Sequence, residues 1–357
     1  MKMGAFNKRW WILALFVAVI LLLFGCSKTK APVVQAPVSN QPVSETPVQK
    51  PESVTVPMYE TVAKGVSPLT GLPYQGDGKA IMVQMENTPA ARPQSGITKA
   101  DLIYEMEVES YITRITAFFL SSYPTKVGPV RSVRKQHMYL WSEWNYMYVF
   151  WGGSVNNPSQ NVNDIKNSLG ITALGIDGMK TSAGLFRSSD RLAPHNAYAN
   201  LDYLKNNAYN FVPKQRTLYF DANASIQGSP ATSVSLSYSS DNKIKYEYDK
   251  ETKLYGKSIN GNAVVDKEDG TKLYVKNIIV QHARHYFVAG TVYTNIDLVG
   301  SGKAEYFTEG VMRTGTWERK DTNSLTKYYD ENGKEIAFKP GTTYVQIVRT
   351  DATVTVE

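Results

Sequence analysis

The sequence predicts an α+β protein with an N-terminal α/β domain at 66–215 and an all-β, sandwich- or barrel-like domain at 232–357. Before about residue 215, apolar runs typical of strands alternate with helix-like runs, which is the pattern of an α/β domain. After Pro230 only short strand-like runs occur, separated by turn pairs such as Asn260-Gly261 and Asp269-Gly270. The first 65 residues show neither pattern and belong to another class of segment.

Residues 1–25 have the features of a lipoprotein signal peptide. Three basic residues precede an uncharged apolar run at 10–24, which is short for a membrane-spanning helix of roughly 20 residues. The run ends in Leu23-Phe24-Gly25-Cys26, which resembles a lipobox, and Cys26 is the only cysteine. We therefore expect cleavage before Cys26 and its lipidation, since a diacylglycerol and further palmitate-like chains hold a protein stably on a bilayer. The alternative is an uncleaved anchor helix with an incidental cysteine.

Residues 26–65 contain the lipidated cysteine and a proline-rich tether. Prolines recur every four to six residues between Pro32 and Pro57, a spacing that suppresses helix and sheet. Removal of the signal peptide takes away three basic residues and no acidic ones, so the formal net charge falls from +7 to +4. This mild balance is not typical of a nucleic-acid-binding protein. The mature chain has no cysteine left for disulfides or cysteine-bearing metal sites.

The first domain shows strand-like and helix-like runs in alternation. Strands are expected at 80–85, 102–108, 112–120 and 146–151, and helices at 131–144 and about 159–169. In the second domain, strands are expected at 234–238, 244–248, 273–281, 286–299, 328–329 and 344–348.

Arg131 and Arg134 follow a Gly128-Pro129 turn at the start of the predicted helix. Residues three apart lie on one helix face, and a helix start presents free N–H groups, so two guanidiniums there would form an anion site. The alternative is that both arginines are solvated or form internal ion pairs with Glu105 and Glu109.

Glu105, Glu107 and Glu109 alternate along a predicted strand and therefore share one face. Such a face is often merely solvated. If these carboxylates instead pair with Arg92, Arg131 and Arg134 inside a cleft, some become candidate acid–base groups.

The segment 187–196 is dense in polar side chains and contains His195 and Asn196. A general base is best sought at His195, whereas the alternative is a structural hydrogen bond. The sequence contains no nucleophile elbow, phosphate-binding loop or metal-ligand set that we can identify, which places enzymatic function second.

Several motifs resemble the YerB-like lipoprotein family. In the first domain they are Pro68-Leu69-Thr70-Gly71-Leu72, Glu86-Asn87-Thr88, Ala91-Arg92-Pro93-Gln94-Ser95-Gly96, Ala100-Asp101, Tyr104-Glu105, Ile112-Thr113-Arg114, Gly128-Pro129-Val130-Arg131-Ser132 with Arg134, and Ala193-Pro194-His195-Asn196. In the second they are Asn277-Ile278-Ile279-Val280-Gln281, Gly300-Ser301-Gly302, Gly310, Trp317 and Lys339-Pro340-Gly341. Tyr255-Gly256-Lys257 departs from the arginine-bearing strand that the resemblance implies there.

The resemblance implies a two-part lipoprotein on the outer face of the cell membrane, largely in Gram-positive, often spore-forming bacteria, with no established activity or cofactor. The polar motif positions that it implies for a shared site are Asn87, Arg92, Glu105, Arg114, Arg131, Arg134, His195 and Asn196.

Three functions follow as expectations. The first is binding of an anionic envelope polymer or partner protein in an arginine-lined cleft. The second is hydrolysis or transfer of an envelope polymer with Glu105 or His195 as acid–base group. The third is a scaffold for wall-synthesis or spore-related enzymes. We expect a membrane contact through the lipid anchor, and no metal, cofactor or nucleic acid.

Overall fold

The computed structural model describes residues 64–214 and 216–357. The predicted signal peptide, Cys26 and nearly all of the tether lie outside the described residues. The described part has three α-helices: α1 Lys135–Trp144, α2 Val162–Ser168 and α3 Leu201–Asn207. None of them is long and apolar enough to cross a membrane.

Strands dominate the described part of the chain. In chain order they are β1 Ile81–Glu86, β2 Leu102–Glu109, β3 Ile112–Phe119, β4 Met147–Phe150, β5 Gly175–Asp177, β6 Leu185–Arg187, β7 Ala197–Ala199, β8 Ser229–Pro230, β9 Ser233–Ser239, β10 Asn242–Asp249, β11 Leu254–Ile259, β12 Asn262–Ala263, β13 Tyr274–Val275, β14 Asn277–Ala283, β15 His285–Phe287, β16 Thr294–Ile296, β17 Gly300–Thr308, β18 Val311–Arg319, β19 Lys327–Asp330, β20 Thr343–Arg349 and β21 Thr355–Val356.

The largest sheet is mixed and has eleven strands in the order β19-β18-β17-β14-β20-β2-β3-β1-β4-β5, with β8 added to β18. β20 is parallel to both β14 and β2, whereas β2, β3 and β1 form antiparallel pairs. The large sheet therefore contains strands from both sides of the boundary expected between 215 and 232, because β20 of the second segment pairs directly with β2 of the first. The domain limits in the chain stay a prediction.

A second sheet of six strands has the order β12-β11-β10-β9-β21, with β13 added to β11. It lies against one face of the large sheet, since Tyr246 and Ile259 share a hydrophobic cluster with Val83 and Ile103. The opposite face of the large sheet packs against α1, where Trp141 joins a second cluster. Two short hairpins, β6–β7 and β15–β16, complete the strands of the described chain.

Most of the strands that the sequence predicted are present, to within a few residues, but many of the described strands were not predicted, among them β5, β6, β7, β8, β11, β12 and β21. The hairpin β17–β18 was not predicted, although it forms nine consecutive residue pairs. Its strands mix small, charged and aromatic residues, so neither a two-residue alternation nor an apolar run marks them. The run expected at 286–299 is instead a hairpin whose strands β15 and β16 enclose a loop.

The start of α1 differs from the prediction in a way that matters for the site. Arg134 is the N-cap residue in an extended conformation, and Arg131 precedes the helix. The backbone N–H of Arg131 donates to the carbonyl of Gln84 at 2.8 Å, and that of Val133 donates to Gly152 at 3.0 Å. These pairings hold 131–133 extended, so the prediction of one shared helix face for Arg131 and Arg134 was wrong.

Candidate functional site

Glu105 lies between the two sheets and has no exposed surface. Alternation along β2 places Ile103 in the layer that faces the second sheet, so Glu105 faces the same way. Its Oε2 accepts hydrogen bonds from Lys257 Nζ and from the Tyr344 hydroxyl, both at 2.7 Å. Lys257 belongs to β11, so a buried ion pair links the two parts of the chain.

The other carboxylate oxygen of Glu105 is also fully engaged. Oε1 accepts from Asn87 Nδ2 at 2.8 Å, from Asn242 Nδ2 at 2.7 Å and from the Thr113 hydroxyl at 2.9 Å. Burial alone raises the pKa of Glu105, but the Lys257 ammonium and these donors outweigh it and lower that pKa to about 2. Glu105 is thus a buried structural anion, and this geometry does not support an acid–base role.

Asn87 and Arg92 extend this network toward the surface. The Oδ1 of Asn87 accepts from Arg92 Nε at 3.2 Å, and the Asn87 carbonyl accepts from Arg92 Nη2 at 2.6 Å. Arg92 Nη1 donates to the carbonyl of Asp241 at 3.0 Å. Burial lowers the pKa of Arg92, and the negative charge of Glu105 offsets part of this effect. Each of the three nitrogens of the Arg92 guanidinium therefore donates to the protein, and the side chain links two loops.

Arg114, Arg131 and Arg134 come together with two carboxylates and one histidine, and we call Arg114, Arg131, Arg134, Glu86, Glu109 and His195 the arginine cluster. Arg114 on β3 lies opposite Glu86 on β1. Arg134 Nε donates to Glu109 Oε1 at 2.7 Å, and Arg114 Nη2 lies 3.6 Å from the same oxygen. Arg131 Nε lies 3.2 Å from Glu86 Oε2.

Positive charge exceeds negative charge around Arg114. This guanidinium is buried and donates to the Ser132 carbonyl at 2.6 Å. Burial lowers the pKa of Arg114, the neighbouring Arg134 and Arg131 lower it further, and Glu109 and Glu86 only partly oppose them, so that it falls to about 9. An additional anion at this place would relieve that repulsion.

A buried carboxylate orients His195. Glu86 is 2% exposed, and its Oε2 lies 2.9 Å from His195 Nδ1. The Thr88 hydroxyl donates to Glu86 Oε1 at 3.0 Å. A carboxylate on Nδ1 favours the tautomer with hydrogen there and leaves Nε2 as an acceptor. The His195 side chain is 28% exposed, and its Nε2 has no hydrogen-bond partner within the part of the chain that the structure describes.

Asn196 stands apart from the arginine cluster. Its Oδ1 accepts from Arg187 Nη1 at 2.7 Å, and its Nδ2 donates to the Ser188 carbonyl at 3.0 Å. The Arg187 guanidinium lies 4.4 Å from the centre of the Trp151 ring. Asn196 thus fixes the loop that presents His195.

The eight predicted site residues therefore divide into three groups. Arg114, Arg131, Arg134 and His195 meet in the arginine cluster, Asn87, Arg92 and Glu105 form the adjoining buried network, and Asn196 belongs to neither. The sequence reasoning missed Glu86 and Lys257 as partners that organise these groups, whereas the pairing of Glu109 with Arg134 was one of the alternatives it left open. Glu86 ends a strand whose six residues are all buried, so a carboxylate in that strand was a signal for a buried ion pair.

Two cavities lie elsewhere in the described part of the chain, and the arginine cluster lines neither of them. One, of about 380 Å³, has mostly apolar walls that include Leu218, Tyr328 and Phe338. The other, of about 280 Å³, lies beside His282, which bonds Glu305 at 2.8 Å. No group of three or more His, Cys, Asp or Glu side chains among residues 64–214 and 216–357 is arranged to hold a metal ion.

The fold and site define a strand-rich protein of two parts, joined by a shared sheet and a buried ion pair. Comparison with known proteins agrees with this division. Residues 69–213 match the family described as "Protein of unknown function (DUF3048) N-terminal domain", and 234–345 match the C-terminal domain of the same description.

The chain is 29% identical over 300 residues to "Putative lipoprotein YerB" of Bacillus subtilis (strain 168), covering 81% of this chain and 88% of the relative. The crystal structure of YerB protein from Bacillus subtilis superposes with a TM-score of 0.70 at 30% identity, covering 81% of this chain and 99% of that one. The chain belongs to the YerB-like lipoprotein family.

Proposed function

We propose that this protein is a lipoprotein held through Cys26 on the outer face of the cell membrane, where its arginine cluster binds an anionic group of the cell envelope. The lipobox and the likeness to a protein named as a lipoprotein support the anchor. The ligand group is a phosphate or carboxylate, as carried by teichoic acid, by a peptidoglycan stem or by a partner protein.

The observation that carries the binding proposal is the unbalanced charge at the cluster. Three guanidiniums face two carboxylates, and burial first, then repulsion from Arg134 and Arg131, lowers the pKa of Arg114. Guanidinium groups bind phosphate and carboxylate oxygens through paired N–H bonds. Arg131 is the accessible member, with 26% of its side chain exposed, so an incoming anion would contact it first.

Binding of purified wall teichoic acid to the protein tests this proposal. Loss of one hydrogen-bonded charge contact in a desolvated site costs about 2–5 kcal/mol, so Arg131→Ala should weaken binding roughly thirtyfold or more. Affinity should also fall as salt rises, because exposed charges are screened.

Two variants serve as controls for that measurement. Arg131→Lys keeps the charge but loses the planar fork, and it should recover only part of the affinity. Arg284→Ala removes a guanidinium that is 69% exposed and paired with Asp297, and it should bind like the parent protein. Equal binding by Arg131→Ala and the parent at low salt would contradict the proposal.

A second candidate function rests on the Glu86–His195 pair. A carboxylate-oriented histidine with an available Nε2 is the arrangement of a general base, and the adjoining guanidiniums would stabilise negative charge that develops on a substrate. An envelope-polymer hydrolase or transferase would release product from wall polymer, and His195→Ala should abolish release while leaving polymer binding intact. Absence of any product from several wall polymers would exclude this alternative.

A further inference from the structure

The turn between β2 and β3 meets the loop of the β15–β16 hairpin at the surface. The backbone N–H of Ser110 donates to the Val292 carbonyl at 3.2 Å, and Glu109 forms a β-bridge with Tyr293. The rings of Tyr111 and Phe287 lie edge to face, with centres 5.6 Å apart. Two segments distant in sequence thus build one surface feature.

This feature is an exposed apolar patch, which we call the aromatic tip. Its side chains are between 36% and 57% exposed, and they are Tyr111, Ile112, Tyr286, Phe287 and Val292. Single exposed apolar side chains are ordinary, but a contiguous group of them marks a surface that meets a partner or a membrane. The run from Tyr286 to Tyr293, YFVAGTVY, carries no charge and no proline.

The loop of the hairpin satisfies much of its backbone internally. The N–H of Val288 donates to the Tyr293 carbonyl at 2.9 Å, and the N–H of Thr291 donates to the Val288 carbonyl at 3.1 Å. The N–H of Tyr293 donates to the Thr291 hydroxyl at 3.1 Å. Backbone groups that are already paired lower the cost of moving a segment out of water.

Two arginines lie against the rings of the aromatic tip. The Arg349 guanidinium lies 4.8 Å from the ring centre of Tyr111 and 5.1 Å from that of Phe287, and it also binds Glu107. Arg284 lies 4.9 Å from the ring centre of Tyr286. Tyrosine rings and cationic side chains around an apolar centre are typical of segments at a lipid–water boundary.

We infer that the aromatic tip inserts into the headgroup region of an anionic phospholipid bilayer, the one on which the lipid anchor proposed above would hold the chain. A bilayer fits better than a protein partner because the eight-residue run carries no charge, whereas the nearest cations, Arg284 and Arg349, lie against its rings, paired with Asp297 and Glu107. Residues 27–63 separate Cys26 from the described chain, and at about 3 Å per extended residue they allow this face to reach the membrane. The inference does not depend on the arginine cluster binding a ligand.

A fluorescent label at the tip tests the inference in the lipidated full chain. Cys26 is the only cysteine, and the proposed diacylglyceryl group on its sulfur would leave the mature chain no competing thiol. Ala289→Cys, at an exposed loop position, is labelled with a polarity-sensitive dye and reconstituted into phosphatidylglycerol-containing vesicles. The matched control is Asn332→Cys, an exposed position in the turn after β19. The emission of the tip label should shift to shorter wavelength and be quenched by nitroxide-bearing lipids, and that of the control should not.

Two further measurements test which side chains and which lipids are responsible for the insertion. The double substitution Phe287→Ser with Val292→Ser should return the tip label to the emission of the control while circular dichroism stays unchanged. Insertion should be shallower in vesicles of phosphatidylcholine alone, and equal depth in both would overturn the role given to the arginines. A tip label as accessible to aqueous quencher as the control would overturn the inference. Protection found only in native membranes would also overturn it, in favour of a protein partner.

Discussion

The buried ion pair between Glu105 and Lys257 allows a prediction that can be worked from the structure. Neither side chain has more than 1% of its surface exposed, and they meet at 2.7 Å between the two sheets. Lys257→Met leaves the Glu105 carboxylate without its cation, and breaking a buried pair in this way costs about 3–5 kcal/mol of unfolding free energy. The loss of unfolding free energy should be larger still, because Lys257 Nζ also lies 3.7 Å from the ring centre of Tyr344 and this cation–π contact is removed too.

Removal of the carboxylate instead of the ammonium should make the stability depend on pH. Burial lowers the pKa of Lys257 to about 8 even beside Glu105. In Glu105→Gln the counter-charge is gone, and a buried lysine without one has a pKa of about 5–6. The native variant then binds one proton fewer than the unfolded chain at neutral pH, so its stability should rise with pH by about 1.4 kcal/mol per unit between pH 6 and 8.

Equilibrium urea unfolding of the detergent-solubilised mature protein measures these effects through tryptophan fluorescence. The double variant Glu105→Gln with Lys257→Met should lose less unfolding free energy than the sum of the losses in the two single variants, because it buries no unpaired charge. The reasoning fails if Lys257→Met costs under about 1 kcal/mol, or if the stability of Glu105→Gln stays flat over that pH range.

Four further outcomes are expected. The pKa of Glu105 is lowered from 4.5 to about 2 in the folded state, so its contribution, about 3 kcal/mol, is present above pH 4.5 and is lost as pH falls toward 2. Urea titrations at pH 7 and pH 3 measure the part lost by pH 3 when the parent is compared with the double variant Glu105→Gln with Lys257→Met, which carries neither charge. Glu109→Gln removes the carboxylate between two guanidiniums, so inorganic phosphate should raise its melting temperature more than that of the parent, and equal shifts would show that the cluster takes up no anion. Gly310→Ala should destabilise the β17–β18 turn by about 1–3 kcal/mol, because its φ is +77° and a Cβ would lie 2.7–2.8 Å from the nearest atoms of the Tyr248 ring, as thermal unfolding can check. Cys26→Ala should lose incorporation of a fatty-acid analogue, and label on that variant would contradict the lipobox.

The sequence predicted what depends on local spacing. The side-chain period of a strand is two residues, so spacing predicted one face for Glu105, Glu107 and Glu109. A register irregularity between Glu107 and Glu109 interrupts that alternation, and Glu109 pairs with Arg134 at the start of α1 whereas Glu105 pairs with Lys257 of the second sheet. The turn pairs after Pro230 and several short strands of the second part were readable because neighbouring residues mark them too. The lipoprotein signal peptide and Cys26 lie outside the described residues and stay a prediction.

Two of the three ion-pair partners were not readable, because they lie far away along the chain, whereas the pairing of Glu109 with Arg134 was among the alternatives that the sequence left open. Glu105 pairs with Lys257, Glu107 with Arg349 and Glu109 with Arg134, across separations of 152, 242 and 25 residues. The departure noted at Lys257 gains its meaning here, since this residue supplies the cation that the Glu105 carboxylate needs between the sheets.

The tertiary structure also decided how the arginines are presented. Spacing favoured one helix face for Arg131 and Arg134, yet backbone pairing with Gln84 and Gly152 keeps this segment extended. Arg131 instead turns to Glu86, which also holds His195. Helix propensity amounts to a few tenths of a kcal/mol per residue, and hydrogen bonds to neighbouring strands override it where buried valines lock the segment in place. The sequence therefore determined which residues carry the charge, and only the sheet that gathers distant segments decided which charges meet.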